Sequence, residues 1–323
     1  MSNVLVTGGS GFIGSALVKR LVNEGHSVKV FDNNSRGSKA KLGDYINEVD
    51  FIEGDIRNAD EVDKACNNID ILFHLAFING TRFFYEIPER VLEVGVKGAV
   101  NTLDAAVNNN IGKYILASSS EVYQQPIIIP TPETERIIIP DITNPRYSYS
   151  GGKIISELLA VNYARKGPLE AMIFRPHNIY GPDMGYEHVI PEFICRMKTL
   201  SADFSKKSID FPIQGTGSET RAFCYIDDFV DGLMLVMNNG RSGEIYHIGN
   251  DKEEIDIRSL AEKIAGLLDI KLLMTHTELQ KGGTLRRCPS IEKMRGLGYE
   301  PRISLEDGLS RTISWYLTHC DVK

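Results

Sequence analysis

Tyr149 and Lys153 stand four residues apart in Tyr149-Ser150-Gly151-Gly152-Lys153. At the start of a helix that spacing places a phenol and an ammonium on one face. About 26 residues earlier comes a second polar cluster, Ser118-Ser119-Ser120-Glu121-Val122-Tyr123, at the end of the apolar strand Tyr114 to Ala117. Sites in open α/β sheets lie at the carboxyl ends of strands, so hydroxyl, phenol and ammonium converge there. That is where a nicotinamide bound by a loop after the first strand would lie.

A glycine loop supplies the second half of the chemistry. Residues 7 to 14 read Thr-Gly-Gly-Ser-Gly-Phe-Ile-Gly, directly after Val4-Leu5-Val6 and directly before a helix-like stretch. Gly8 permits the tight turn out of the strand, Gly11 lets backbone N–H groups approach a pyrophosphate, and Gly14 lets the helix pack closely on the sheet. The spacing is GxxGxxG. Asp32, 18 residues after Gly14, ends a second strand, Val28 to Phe31. That context predicts a dinucleotide site. A carboxylate at Asp32 accepts hydrogen bonds from the adenosine ribose and repels the additional phosphate of NADP, so NAD is the expected cofactor. Arg36 is read as a solvated loop cation.

The elements that must position these groups follow from the apolar pattern. Short strands at Val4 to Val6, Val28 to Phe31, Val49 to Glu53, Ile69 to His74, Lys113 to Ala117 and Met172 to Phe174 alternate with helical stretches. The expected fold is α/β, a Rossmann-type doubly wound parallel sheet. Helices are predicted at Phe12 to Glu24, about Pro88 to Asn108, and Ser148 to Arg165, the last with Ile154, Ile155, Leu158, Leu159 and Val161 as its apolar face. After Arg175-Pro176 the alternation loosens, and a late helix runs from Ser304 to Thr318. The expected division is a dinucleotide-binding domain over 1–176 with a returning segment at about 222–252. A smaller C-terminal α/β substrate lobe takes 177–221 and 253–323. Ile-Ile-Ile-Pro occurs at 127–130 and again at 137–140; two copies make no solenoid. They read as a loop buried under another element, or as a subunit contact.

Composition narrows the partners. The 323 residues carry a net charge of −7, with mean hydropathy −0.16 and a pI near 5.6. An acidic chain of this kind argues against nucleic acid or an anionic membrane as principal partner. Five cysteines, Cys66, Cys195, Cys224, Cys288 and Cys320, are scattered singly, so neither a disulfide framework nor a zinc site is expected. Without a leader pattern or 18 consecutive apolar residues, a cytoplasmic protein is expected.

Together these motifs resemble the extended short-chain dehydrogenase/reductases of the NAD-dependent epimerase/dehydratase family. Further matching pieces are Gly54-Asp55-Ile56, His74-Leu75-Ala76, Arg175 to Pro182, Thr220 to Asp228, and Leu297-Gly298-Tyr299-Glu300-Pro301. The resemblance implies an enzyme acting on a nucleotide-diphosphate sugar. Tyr149 would be the base that takes a proton from a sugar hydroxyl as hydride leaves for NAD. Lys153 would bind the nicotinamide ribose and lower the phenol pKa, and Ser119 would share the proton. It also implies that Phe12, Ile13, Asn33, Asp55, Ile56, Leu75, Ala76 and Pro176 join Gly8, Gly11, Gly14 and Asp32 around the cofactor. Asn178, Arg221 and Arg287 match positions that often contact the diphosphate or its neighbourhood. His188 falls in the substrate-facing loop, as a packing or hydrogen-bonding residue. Family members commonly pair the helices at about 88–108 and 148–165, which implies a homodimer.

Glu121 is the informative residue within the site. In the family, 4,6-dehydratases and UDP-glucuronate decarboxylases often carry Glu here, simple 4-epimerases a small or hydroxyl residue, and GDP-mannose 3,5-epimerase Cys. A carboxylate beside a 4-keto sugar can act as a base at C5, or can simply orient a loop or the sugar. Ser120 precedes it where an acid for expelling a C6 hydroxyl is usual. Gly95 stands where many members have Asn, Gln124 replaces the usual Gly after Val-Tyr, Ser290 replaces a frequent Asp, and the loop Asn79 to Phe84 is unusual. Epimerisation through transient C4 oxidation is the leading expectation. 4,6-Dehydration and decarboxylation are the alternatives within the family, and a non-catalytic NAD-binding scaffold is the alternative outside enzymology.

Asp32 yields the first prediction: calorimetry is expected to show NAD binding more tightly than NADP. The reverse order would remove the role given to that carboxylate.

Overall fold

Alternate residues of one strand already show why the sheet is covered on both faces. In β1 (Asn3–Thr7), Val4 and Val6 belong to one buried apolar cluster and Leu5 to another. A strand buried on both sides reads as a continuous apolar run, as this one does. In the computed structural model, which describes residues 1–277 and 284–320, a seven-stranded sheet follows from such strands. Its members are β1, β2 (Ser27–Asp32), β3 (Asp50–Glu53), β4 (Ile71–His74), β5 (Lys113–Ala117), β6 (Glu170–Pro176) and, after the intervening elements, β11 (Ile245–Ile248). The order is β11-β6-β5-β4-β1-β2-β3, with every neighbouring pair parallel. The chain reverses direction of winding between β1 and β4, and a crevice opens at that switch point.

Helices fill the crossovers. They are α1 (Phe12–Asn23), α2 (Ala59–Ala65), α3 (Thr81–Glu86), α4 (Pro88–Asn108) and α5 (Ser148–Ala164). The first of these buries Leu17, Val18 and Leu21 against the sheet. The inner face of α5 differs from the expected one. Tyr149, Lys153, Ser156, Glu157 and Ala160 point inward, while Ile155 and Leu158 are 38% and 57% exposed. Small and polar residues let this helix approach the strand ends closely; of the expected apolar face Leu159 and Val161 pack on the core, while Ile155 and Leu158 are left outside.

The rest of the chain builds the smaller elements: β7 (Ile179–Tyr180), α6 (Val189–Leu200), β8 (Ser208–Gln214), β9 (Thr220–Ala222), β10 (Cys224–Tyr225) and α7 (Ile226–Asn239). After β11 come β12 (Glu254–Asp256), α8 (Ile257–Leu267), β13 (Lys271–Thr277), β14 (Arg286–Arg287), α9 (Glu292–Arg295) and α10 (Leu305–His319). They form three small sheets, β10-β7, β12-β9-β14 and β13-β8. None of the described helices is long and apolar enough to cross a membrane.

Two expectations are corrected. The isoleucine repeats do not form a buried loop, because Ile127, Ile128 and Ile139 are 69%, 56% and 42% exposed. The segment is held instead by the buried Glu135, whose carboxylate accepts the backbone N–H groups of Ile128 and Arg136. The cysteines are not all single either: Cys195 and Cys320 form a disulfide. Packing of α6 on α10 brings together two residues 125 apart in sequence, a proximity that no short spacing reveals. Cys66, Cys224 and Cys288 are buried thiols.

Closing so long a loop restricts the unfolded chain. Cys195→Ser is therefore expected to lower the urea midpoint in the absence of reductant, by at most about 4–5 kcal/mol of stability. With reductant it should unfold like the parent, and a parent midpoint unchanged by reduction would deny the bridge any stabilising role.

Candidate active site

The glycine loop passes from β1 into α1 as its residue types require. Gly8 has φ +75°, and a Cβ there would come within 2.7 Å of the Ala76 nitrogen. A Cβ on Gly14 would approach the Gly8 carbonyl oxygen to 2.1 Å. At Gly11 the nearest such contact is the Gly8 oxygen at 3.2 Å, so this backbone stays open on its other side. The loop is thus a cradle with main-chain N–H groups at a helix start, the surface a pyrophosphate needs. Asp32 forms its rim, accepting the N–H groups of Ser10 at 3.0 Å and Asn34 at 2.8 Å. Asp55 is gripped by Arg57, with contacts of 2.7–3.2 Å, and these hydrogen bonds hold its carboxyl below its ordinary pKa. Arg36 is not merely solvated. It pairs with Glu187 at 3.1 Å and lies over the Phe83 ring at 4.2 Å, because α3 and the loop before α6 reach across to it.

From this cradle a cleft of about 610 Å³ runs past the ends of β4, β5 and β6. Gly8, Gly11, Phe12, Ile13, Gly14, Asp32, Asn33, Asp55, Ile56, Leu75, Ala76 and Pro176 line it, as do Ser119, Ser120, Glu121, Tyr149 and Lys153. Asn178, His188 and Arg287 line its far end. Arg221 does not. It stands one strand back on β9, in register with Arg287 on β14, and donates to the carbonyl oxygen of Thr220 at 2.8 Å.

Lys153 sits at the cleft floor, 3% exposed, with Nζ donating to the Ala117 carbonyl at 2.6 Å. Burial depresses its pKa to about 7, with Glu157 opposing. Burial also raises the Tyr149 phenol above its ordinary value, against the hydrogen bond from Ser119 and the charge of Arg287. The ammonium lies 5.8 Å from the phenol ring centre, and desolvation outweighs the fields that favour phenolate. Ser119 also caps the turn after β5, accepting the Glu121 N–H at 3.1 Å.

Glu121 is paired. Arg287 donates to it at 2.9 Å, with the two side chains only 24% and 13% exposed. Burial would raise this carboxyl, yet Arg287, then Arg146 and Arg221, hold its pKa below the ordinary value. Arg221 itself is pushed down to about 10 by burial and by Arg287. Three guanidinium groups thus act on one ionised carboxylate. Asn178 adopts φ +47° and commits its amide N–H to the Ala222 carbonyl at 3.0 Å. His188 begins α6, and burial lowers its pKa.

Several contributors escaped the sequence reading. Glu157 and Arg175 form a buried bidentate pair at 2.8 and 2.6 Å, whose only sequence signal is the one-turn spacing of Glu157 from Lys153. Arg146 opens the turn before α5, its N–H capped by Asn144; its place three residues before Tyr149 was the available clue. Phe77 and Phe84 pack against the Tyr149 ring at 5.1 and 4.9 Å.

Known proteins share this arrangement. The model of the NAD dependent epimerase/dehydratase family matches residues 4–249. The chain is 32% identical over 322 residues to a UDP-N-acetyl-alpha-D-glucosaminuronate decarboxylase of Bacillus cytotoxicus, covering 97% of each. Among solved structures, the UDP-glucose 4-epimerase of Thermotoga maritima with UDP-glucose aligns with TM-score 0.87 at 26% identity, over 99% of this chain and 100% of that one. A dTDP-glucose 4,6-dehydratase of Streptomyces venezuelae with NAD bound aligns with TM-score 0.85 at 30% identity, over 97% and 96%. With a cradle built for a dinucleotide, a Tyr-Lys pair at the strand ends and matches spanning the chain, this protein belongs to the NAD-dependent epimerase/dehydratase family of nucleotide-sugar enzymes.

Proposed function

We propose that the protein decarboxylates a nucleotide-linked uronic acid by way of a 4-keto sugar. The observation that carries this reading is the pairing of Glu121 with Arg287, reinforced by Arg146 and Arg221. Arg287 is the arginine of this group that lines the cleft, with Arg146 and Arg221 acting on Glu121 from behind it. An anionic sugar substituent would meet that guanidinium, whose fork suits a carboxylate. The near full-length likeness to a uronate decarboxylase supports the same substrate class.

Gly8, Gly11, Gly14 and Asp32 would hold NAD along the loop, where it would supply hydride acceptor and donor chemistry at C4. Tyr149 takes the proton of the C4 hydroxyl, with Ser119 as hydrogen-bond partner, and Lys153 fixes the phenol's surroundings. Arg287 orients the C6 carboxylate. Once C4 is a ketone, the C5–C6 bond breaks with loss of CO2 and its electron pair passes into the carbonyl as an enolate. A solvent proton then adds at C5. No base at C5 is required, which agrees with a Glu121 neutralised by its partners. Dehydration fits less well, because buried Ser120 offers a hydroxyl where an acid must expel the C6 oxygen.

C4 epimerisation is the second reading, favoured by the close fold match to a 4-epimerase. One experiment separates them. Incubated in D₂O with a panel of UDP-, GDP-, CDP- and dTDP-linked uronic acids and neutral sugars, the protein is expected to release CO2 from a uronic acid. It should place one deuterium at C5, and Tyr149→Phe should lower the rate at least ~10²-fold. An inverted C4 centre without deuterium and without CO2 would replace decarboxylation by epimerisation.

A homodimer belongs to the same proposal. Ile155 and Leu158 on α5 and Val107 on α4 expose apolar surface on two helices that pack together, and a second copy of the pair would cover it. Light scattering at micromolar protein is expected to give twice the 36.0 kDa chain mass, and a monomeric mass would contradict the assignment.

A further inference from the structure

Phe77 occupies a slot that two glycines open. A Cβ on Gly95 of α4 would come within 2.3 Å of the Phe77 ring, and one on Gly152 of α5 within 3.0 Å. The ring is therefore wedged between the two helices where neither can carry a side chain. From there it meets both members of the redox pair. Lys153 Nζ lies 4.0 Å from the ring centre, and the Tyr149 ring meets it edge to face at 5.1 Å and 81°. Phe84 stacks on the Tyr149 ring at 4.9 Å and 19°.

We propose that Phe77 is a positioning residue for the proton-transfer pair, its ring face holding the Lys153 ammonium while its edge contact fixes the plane of Tyr149. An ammonium has three donors. One is fixed by the Ala117 carbonyl at 2.6 Å. The negative face of the Phe77 ring attracts the charge from a second side, which leaves a donor for the cleft, where the dinucleotide ribose is expected. Lys153 is thus oriented by a carbonyl and a ring, and among the described residues no carboxylate is bonded to it that would compete with the cofactor.

The other groups around the ammonium are accounted for. On α5 they are Tyr149 and Glu157, the latter bonded to Arg175 and Ser118. On β4 His74 bonds Thr7 at 2.9 Å, and burial holds its pKa down at about 3, so it stays neutral. The Glu121–Arg287 pair lies beyond the phenol. From α4 the neighbours at the slot are Gly95 and Leu92, both uncharged.

Two opposite substitutions test the assignment independently of the sugar. In protein carrying isotope-labelled lysine, the Lys153 Nζ resonance, identified by its loss in Lys153→Met, reports protonation directly. Phe77→Leu keeps the slot dry but removes the ring face, so the titration midpoint should fall by about 1–2 units. Phe77→Met, which also fills the slot, should do the same and stands in if the leucine variant does not fold. Phe77→Ala admits water, and its midpoint should rise above the parent's. Leucine and methionine variants that lose thermal stability but titrate like the parent would reduce Phe77 to core packing. An alanine midpoint below that of leucine would equally overturn the proposal.

Discussion

The Glu157–Arg175 pair is the constraint on which the site depends. It joins α5 to β6 through two short contacts with both side chains almost wholly buried. Ser118 at the end of β5 donates to the same carboxylate, and Arg175 donates to Tyr123 in the turn that follows. Three neighbouring elements are thereby locked at the strand ends. Breaking such a pair strands a charge in the interior, at a cost of about 3–5 kcal/mol. Lys153 sits one turn before Glu157 on α5, so the depth and rotation of that helix, and with them the place of the ammonium and phenol, follow from this contact.

The same arginine begins a second line of bonds that reaches the sugar end. Arg175 donates to the Tyr123 oxygen, and the Tyr123 hydroxyl lies 2.6 Å from His247 Nε2. His247 Nδ1 faces the Ser290 carbonyl at 3.1 Å, and a carbonyl can only accept. The imidazole therefore carries its proton on Nδ1 and accepts from Tyr123 through Nε2. Ser290 in turn donates to Thr131, which donates to Cys288. This chain fastens the segment carrying Arg287 to the turn carrying Glu121, so their pairing is set by backbone placement on both sides.

How much of this could be read beforehand depended on the range of the signal. The glycine loop, Asp32 and the Tyr-Lys spacing are local patterns with fixed geometry, and the helix predicted at Pro88 to Asn108 is found with those bounds. The strands of the large sheet were legible because burial on both faces makes them apolar runs. Arg287, Glu121 and Arg221 were legible singly, but their meeting depends on the parallel register of β9 and β14, two-to-three-residue strands whose pairing no periodicity encodes. The disulfide and the Phe77 slot are hidden for the same reason. Each needs residues far apart in sequence to be placed by packing, and a glycine read in isolation does not say which ring will use its space.

This division also explains where specificity can change without disturbing catalysis. The proton-transfer pair is mounted on α5 and the large sheet, held by buried bonds with little tolerance for altered volume or charge. Arg287 lines the opposite wall from a short strand of a three-stranded sheet, with Arg221 on the strand behind it. Under the proposed function a substitution there would alter the charge presented to the sugar while the ends of β5 and β6 stay fixed. Oxidation at C4 is common to decarboxylation, dehydration and epimerisation, and the proposed function assigns the step that follows to groups on the second wall. In this protein Arg287 bonds Glu121 there, and the proposed preference for an anionic sugar substituent rests on that pairing, because a carboxylate engaged by a guanidinium is a weaker base than a free one.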